Sequence, residues 1–313
     1  VHIPDGFLDA KTCATTFALA GGGLALALRK VRENWHERAA PLHGVLAAFI
    51  FVGQLVNFPV VGGTSGHLFG GILAAVFLGP YGAALIVSLV LIVQCFLFQD
   101  GGVMALGANL LNMSFVGVFG GYAAYKCCRC FARGKTGLLF AIAVASWTSI
   151  NLAASACSFE LAVSHQLPFL RIAAPMLVVH AIVGLAEAAI TLGIVSSVLR
   201  LRPELLECPQ PRSPRLQVRW GLGIAFALVL CLLPFASALP EMLDKLAVQL
   251  DLTTGDSKLF DAPFANYIVP GIEMSWASLL LAAMIGSAGV LLISWFLTRI
   301  FAGQESASQT QAD

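Results

Sequence analysis

The chain has 313 residues, 58% of them apolar and only 11% charged, with a formal net charge of +1. A soluble domain carries about 25% charged residues, so a water-facing globule is excluded and the lipid bilayer is the solvent that fits. The near-neutral balance also points away from nucleic acid as a partner, and leaves the placement of the basic residues as the useful signal.

The chain opens on Val1-His2-Ile3-Pro4-Asp5-Gly6, a polar, turn-like stretch. It lacks the basic region and apolar run of a cleavable signal, so it is expected to be retained, with a free amine at residue 1. Apolar segments of membrane-spanning character then follow. They are Lys11–Leu28, Pro41–Pro59, Gly66–Leu78, Tyr81–Phe98, Val103–Tyr125, Thr136–Phe159, Ile172–Leu199, Trp220–Leu239 and Ser275–Leu297. The third is short and follows a glycine-rich stretch, which suits a partial or re-entrant helix. The fold class is therefore an all-α polytopic membrane protein, with a seven-span unit followed by a two-span unit.

Charge gives the direction. Arg29, Lys30, Arg32 and Arg38 follow the first span, Lys126, Arg129, Arg133 and Lys135 the fifth, and Arg200, Arg202, Arg212, Arg215 and Arg219 the seventh. With Arg299 these are 14 of the 18 basic residues, all on one side for nine spans. The positive-inside rule makes that side cytoplasmic and the N-terminus extracytoplasmic, in a multi-pass protein of the inner (cytoplasmic) membrane. His2, the loop Asn57–His67, the turn Gln99–Gly102 and His165 then share the outer face.

Residues 1–203 form the first unit. Pro203, Pro209, Pro211 and Pro214 mark residues 204–219 as a cytoplasmic linker. Residues 220–300 form the two-span unit with an outer loop, and residues 301–313 a tail expected to be disordered. Of eight cysteines, Cys13, Cys95, Cys157 and Cys231 lie in apolar spans, Cys208 is isolated, and Cys127, Cys128 and Cys130 lack the neighbouring ligands of a zinc site. They read as reduced, structural thiols.

Chemistry concentrates on the outer face. The amine of Val1, the backbone nitrogen of residue 2 and the imidazole of His2 can close two small chelate rings on one ion. The amide must lose its proton, which calcium and magnesium cannot drive; nickel and copper favour such planar nitrogen sets. His67, at the end of Gly62-Gly63-Thr64-Ser65-Gly66-His67, is the best fourth donor. Taken alone, His67 reads as an interfacial histidine bonded to backbone and His2 as a disordered terminal residue. Gln94, Asp100, Asn109 and Asn112 lie nearby; the asparagines suit orientation of metal-bound histidines or interhelical hydrogen bonding. His180 and Glu187 share a helical face, as an ion relay or as a buried pair with another helix. Ala14, Ala18 and Gly22 recur every four residues, the spacing of close helix packing or of a docking face for another membrane subunit.

These strings resemble the substrate-binding membrane component of cobalt and nickel energy-coupling-factor transporters, the CbiM/NikM family. The matching strings are His2-Ile3-Pro4-Asp5-Gly6-Phe7-Leu8, Gly62 to His67, Asp100-Gly101-Gly102, Gly107-Ala108-Asn109 and His180 to Glu187. The resemblance covers about residues 1–203. It implies a metal held by residue 1, His2 and His67, with Asp5, Thr64, Ser65, Gln94, Asp100 and Asn109 around them. It also implies separate partners, a transmembrane coupling subunit and two ATP-binding subunits, for which Ala14, Ala18 and Gly22 are the expected docking face. Val1 departs from the family's usual Met, which leaves the amine in place. The two-span unit is similar to an auxiliary module of such transporters: Tyr267-Ile268-Val269-Pro270-Gly271-Ile272 supports this, while Pro240-Glu241-Met242-Leu243-Asp244 matches the module's signature only at Pro240 and Leu243.

The resulting expectation is capture of Ni²⁺ or Co²⁺, nickel favoured, as a transported ligand with no permanently bound cofactor. The chain has no Walker-type phosphate loop, so energy comes from the partners. A cobalt-specific component is the first alternative, and an ion-driven secondary transporter built on His180 and Glu187 is the second. A metal-dependent intramembrane enzyme fits poorly, because four nitrogens in a plane leave it no open in-plane position.

Overall fold

The computed structural model describes residues 2–33, 40–201, 237, 239–252 and 259–310. Their regular secondary structure is helical apart from one small hairpin. Helix α1 is Ala10–Glu33 and α2 is Ala40–Leu55. Strands β1 (Phe58–Val60) and β2 (Thr64–Gly66) pair antiparallel, with Phe58 opposite Gly66. Gly62 and Gly63, both at positive φ, make the turn between them. Helix α3 (Gly71–Val93) continues as a π-helical turn, Gln94–Phe98. Helix α4 (Leu106–Asn109) passes through a π-helical stretch, Leu110–Gly117, into α5 (Val118–Phe131), with right-handed helical dihedrals at both junctions. Helices α6 (Gly134–His165), α7 (Phe169–Leu201), α8 (Met242–Leu250) and α9 (Ser275–Thr310) complete the described chain.

Among the described residues, five helices are long and apolar enough to cross a bilayer, and α2 is a shorter apolar helix. The protein is therefore all-α and multi-pass, but the seven-plus-two count is not reproduced as drawn. The eighth expected span, Trp220–Leu239, and the linker fall outside the described residues, apart from two positions at the end of that span. The third and fourth expected spans belong to one element, α3, which breaks at Gly79 (φ 73, ψ 170) before Pro80.

That break reverses the chain. Gly70 packs on Ile50, and Gly82 lies against His43, about two turns back along α2. A straight continuation would carry Phe98 roughly 24 Å further from Ile50. Instead Phe98 returns to Phe51, with ring centroids 5.4 Å apart. The segment before Gly79 is thus a short helical arm entered from the loop that carries His67.

The outward and return paths bring distant polar residues to one end of the bundle. His2 meets Gln94 and Asp100 there, and His165, at the end of α6, bonds to Phe7 O at 2.9 Å. Arg29, Lys30, Lys126, Arg129 and Arg200 lie at the far ends of α1, α5 and α7. Helices α6 and α7 pack along their lengths, and α9 lies on α2, where Phe51 covers Gly286 so closely that no side chain fits at that glycine. Helix α1 is the least covered: Ala14, Ala18 and Gly22 are exposed, and nothing approaches position 22 within 4 Å. Helix α9 continues through residues 301–310, a stretch expected to lack structure.

Candidate metal centre

The terminal segment is threaded into the bundle by backbone bonds. Ile3 N donates to Asn109 Oδ1 at 2.8 Å, and Asn109 Nδ2 donates back to Ile3 O at 3.0 Å. Gly102 N also donates to Ile3 O, at 2.8 Å. Asp5 Oδ1 accepts from Met104 N at 2.7 Å. His2 is left only 7% exposed. Asn109 therefore fixes His2 through its neighbour's backbone. Asn112 donates to Glu160 at 2.6 Å instead, so the expected orienting role does not extend to it.

Gly102 makes this threading possible, since a Cβ there would collide with the Asp5 backbone nitrogen and carboxylate. Gly102→Ala is expected to push the terminal segment out. Isothermal titration of purified protein should show metal affinity reduced about tenfold or more, with the helical circular-dichroism signal retained.

His67 follows β2 and is 5% exposed. Its Nδ1 lies 2.9 Å from Leu68 O, which can only accept, so Nδ1 carries the proton and Nε2 a lone pair. His2 Nε2 lies 3.2 Å from Gln94 Oε1. Donation there leaves a lone pair on His2 Nδ1, a buried atom that makes no hydrogen bond among the described residues. Nδ1 is the imidazole atom that closes a six-membered ring with the residue's own backbone nitrogen on one ion. The two rings face each other with centroids 5.0 Å apart and planes tilted by 40°. Burial holds both pKa values down, to about 4, so at neutral pH both imidazoles are in the unprotonated form that binds metals.

The centre includes a residue that sequence reading did not assign to it. Glu241, just before α8, places Oε1 3.5 Å from His67 Nε2. One ligand atom each from His2, His67 and Glu241 lie within 4.8 Å of one another. Burial pushes the Glu241 carboxyl up, but the positive charge of the amino terminus, more than the two imidazoles, outweighs burial and holds it well below the usual carboxylate range. Asp100 Oδ1 lies 3.5 Å from His2 Nδ1, and its other oxygen accepts the hydroxyl of Tyr267. Burial raises the Asp100 carboxyl, and the charge of Glu241 adds to that.

The remaining expected residues sort by what they touch. Thr64 Oγ1 donates to Val61 O at 3.0 Å, closing the hairpin turn. Ser65 reaches the C-terminal unit: its N donates to Pro240 O at 2.9 Å and its Oγ to Leu239 O at 2.6 Å. Glu187 accepts from Phe69 N at 2.7 Å and Gly70 N at 2.8 Å, so it is partnered by the loop after His67. His180 Nδ1 lies 2.7 Å from Met176 O, and the ring lines a small cavity with His67, Glu241 and Met242. Val1 lies outside the described residues, as do Cys208 and Cys231. Cys13, Cys95, Cys127, Cys128, Cys130 and Cys157 are free thiols.

Residues 2–205 match the family model described as "cobalt uptake substrate-specific transmembrane region", CbiM. A protein of Archaeoglobus fulgidus carrying the name NikMN is 34% identical over 306 residues, 96% of this chain and 98% of its own. The fused nickel transport protein NikMN of Rhodobacter capsulatus is 36% identical over 254 residues, 76% of this chain and 73% of its own. A crystal structure of a truncated transition metal transporter superposes with a TM-score of 0.59 at 34% identity, covering 64% of this chain and 99% of that one.

Proposed function

Because this chain belongs to the CbiM family of substrate-specific membrane components of metal uptake, we propose that it captures a divalent transition-metal ion, nickel in preference to cobalt, at its extracytoplasmic face. As a member of that family it is a transport component and not an enzyme. The observation that carries the proposal is the pairing of two buried, neutral imidazoles from residues 65 positions apart, with the Nδ1 of His2 left without a hydrogen bond among the described residues. A buried acceptor without a donor is costly, and an ion at that atom satisfies it.

The ligands are then the amine of residue 1, the backbone nitrogen and Nδ1 of His2, and Nε2 of His67. The amine enters through the family resemblance. Four nitrogens in one plane suit nickel, which also precedes cobalt in affinity for such donors, and fused relatives carry the name of nickel transport proteins. Energy comes from a transmembrane coupling subunit and two ATP-binding subunits, with the exposed face of Ala14, Ala18 and Gly22 as the docking surface on α1.

The test is uptake by cells that express the chain with those subunits. Nickel accumulation is expected to survive a tenfold excess of cobalt and to stop when the ATPase site is inactivated. Cobalt displacing nickel at equal concentration would reverse the metal assignment. Uptake that persists without ATP hydrolysis would point to a secondary transporter.

A further inference from the structure

The four-nitrogen reading leaves a charge problem. A divalent ion bound to one deprotonated amide keeps a net positive charge, and the centre is buried; the amide proton leaves to solvent. Buried charge is stable only when paired. The protein places two carboxylates against the histidine pair, Asp100 beside His2 and Glu241 beside His67, and the C-terminal unit supplies the second.

We propose that Glu241 is a direct ligand of the captured ion, binding above the nitrogen plane and making the site five-coordinate. This rests on the four-nitrogen reading and adds the ligand that completes it. Donor atoms about 2.0–2.2 Å from one ion stand roughly 2.9 Å apart when adjacent and about 4 Å apart when opposite. The 3.5 Å between Glu241 Oε1 and His67 Nε2 lies between these values, so a small contraction brings both onto one ion. Glu241 also has the reach to serve twice. Its side chain accepts the backbone N–H of Asp244 as the first residue of a reciprocal cap on α8, and a carboxylate has acceptor capacity left for a metal.

The placement of Glu241 is built. Ser65 pairs with Pro240 and Leu239, an isolated β-bridge joins Ser65 to Glu241, and Lys245 Nζ donates to Gly62 O. These bonds tie the start of α8 to the hairpin that carries His67. The C-terminal unit thereby closes one side of the centre with its own ligand.

The experiment is nickel K-edge X-ray absorption on the purified full chain, alongside Glu241→Ala and Glu241→Ser. Serine keeps a cap on α8 but is too short to reach the ion. The wild type is expected to lack the pre-edge feature of planar four-coordinate nickel. Both variants should show that feature, still bind one nickel, and bind it roughly 10–100-fold more weakly. A wild-type spectrum already planar and unchanged by the serine variant would overturn the Glu241 assignment and leave the four-nitrogen site standing. A wild type that binds no nickel would overturn both.

Discussion

His67→Ala is expected to lower nickel uptake at sub-saturating metal by more than about 100-fold, and His2→Ala by a similar factor. Replacing residues that merely orient a metal ligand costs about 10–100-fold in affinity, and these two histidines are the ligands themselves. His2 carries the larger structural argument, because loss of its imidazole removes one of two linked chelate rings. His67 carries the cleaner one. Its Nδ1 is fixed by Leu68 O, so Nε2 is the one ring nitrogen with a lone pair to give. Cys130→Ala, on the exposed basic end of α5, is expected to leave uptake unchanged. Cells expressing each variant with the ATPase partners give the comparison directly. Uptake by His67→Ala within a few-fold of wild type would sink the ligand assignment.

Glu187→Ala is expected to weaken nickel binding about 10–100-fold and to lower the thermal stability of the metal-free protein. The reason lies one turn from the site. Both carboxylate oxygens take backbone N–H groups, from Phe69 and Gly70, and the buried side chain faces only 1% exposure. Hydrogen bonds to a charged group are worth roughly 1.5–3 kcal/mol, and a buried donor left without its acceptor costs a further desolvation penalty. Gly70, held at φ +77 against Ile50, turns the chain from His67 into α3. Removing the carboxylate frees that turn, and with it the ring of His67. Glu187→Gln retains an acceptor and should fall between wild type and alanine. A proton relay through Glu187 predicts a different pattern, in which glutamine abolishes transport while leaving binding intact. Binding and uptake measured on the same variants separate the two.

The bilayer-facing character of the chain was legible from composition, and α1, α2, α6 and α7 from apolar runs bounded by basic residues. The break in α3 was legible in part. Gly79-Pro80 punctuates the run, but only the packing of Phe98 on Phe51 shows that the chain turns back. Asn109 and Asn112 looked alike at a spacing of three residues. They diverge because the helix changes to π-helical geometry from Leu110, which rotates the following residues away from the face that the α-helical period predicts. His2 and His67 could be paired because His2 opens a proline-marked string and His67 closes a glycine-marked one, both expected on the outer face. Glu241 could not be found that way. It lies 174 residues beyond His67, in a string read only as a weakened match to an auxiliary signature, and no local pattern marks a carboxylate that reaches another unit's site. The one usable signal was an acid before a short amphipathic helix, which reads first as a helix cap.

The central claim is that His2 and His67 together hold one transition-metal ion. It is tested most directly by equilibrium dialysis of nickel against the purified full chain, with its first residue verified by mass spectrometry, beside the double variant carrying His2→Ala and His67→Ala. One nickel per wild-type chain and no saturable binding to the folded double variant is the predicted result. Stoichiometric nickel on the double variant, at an affinity close to wild type, would contradict it.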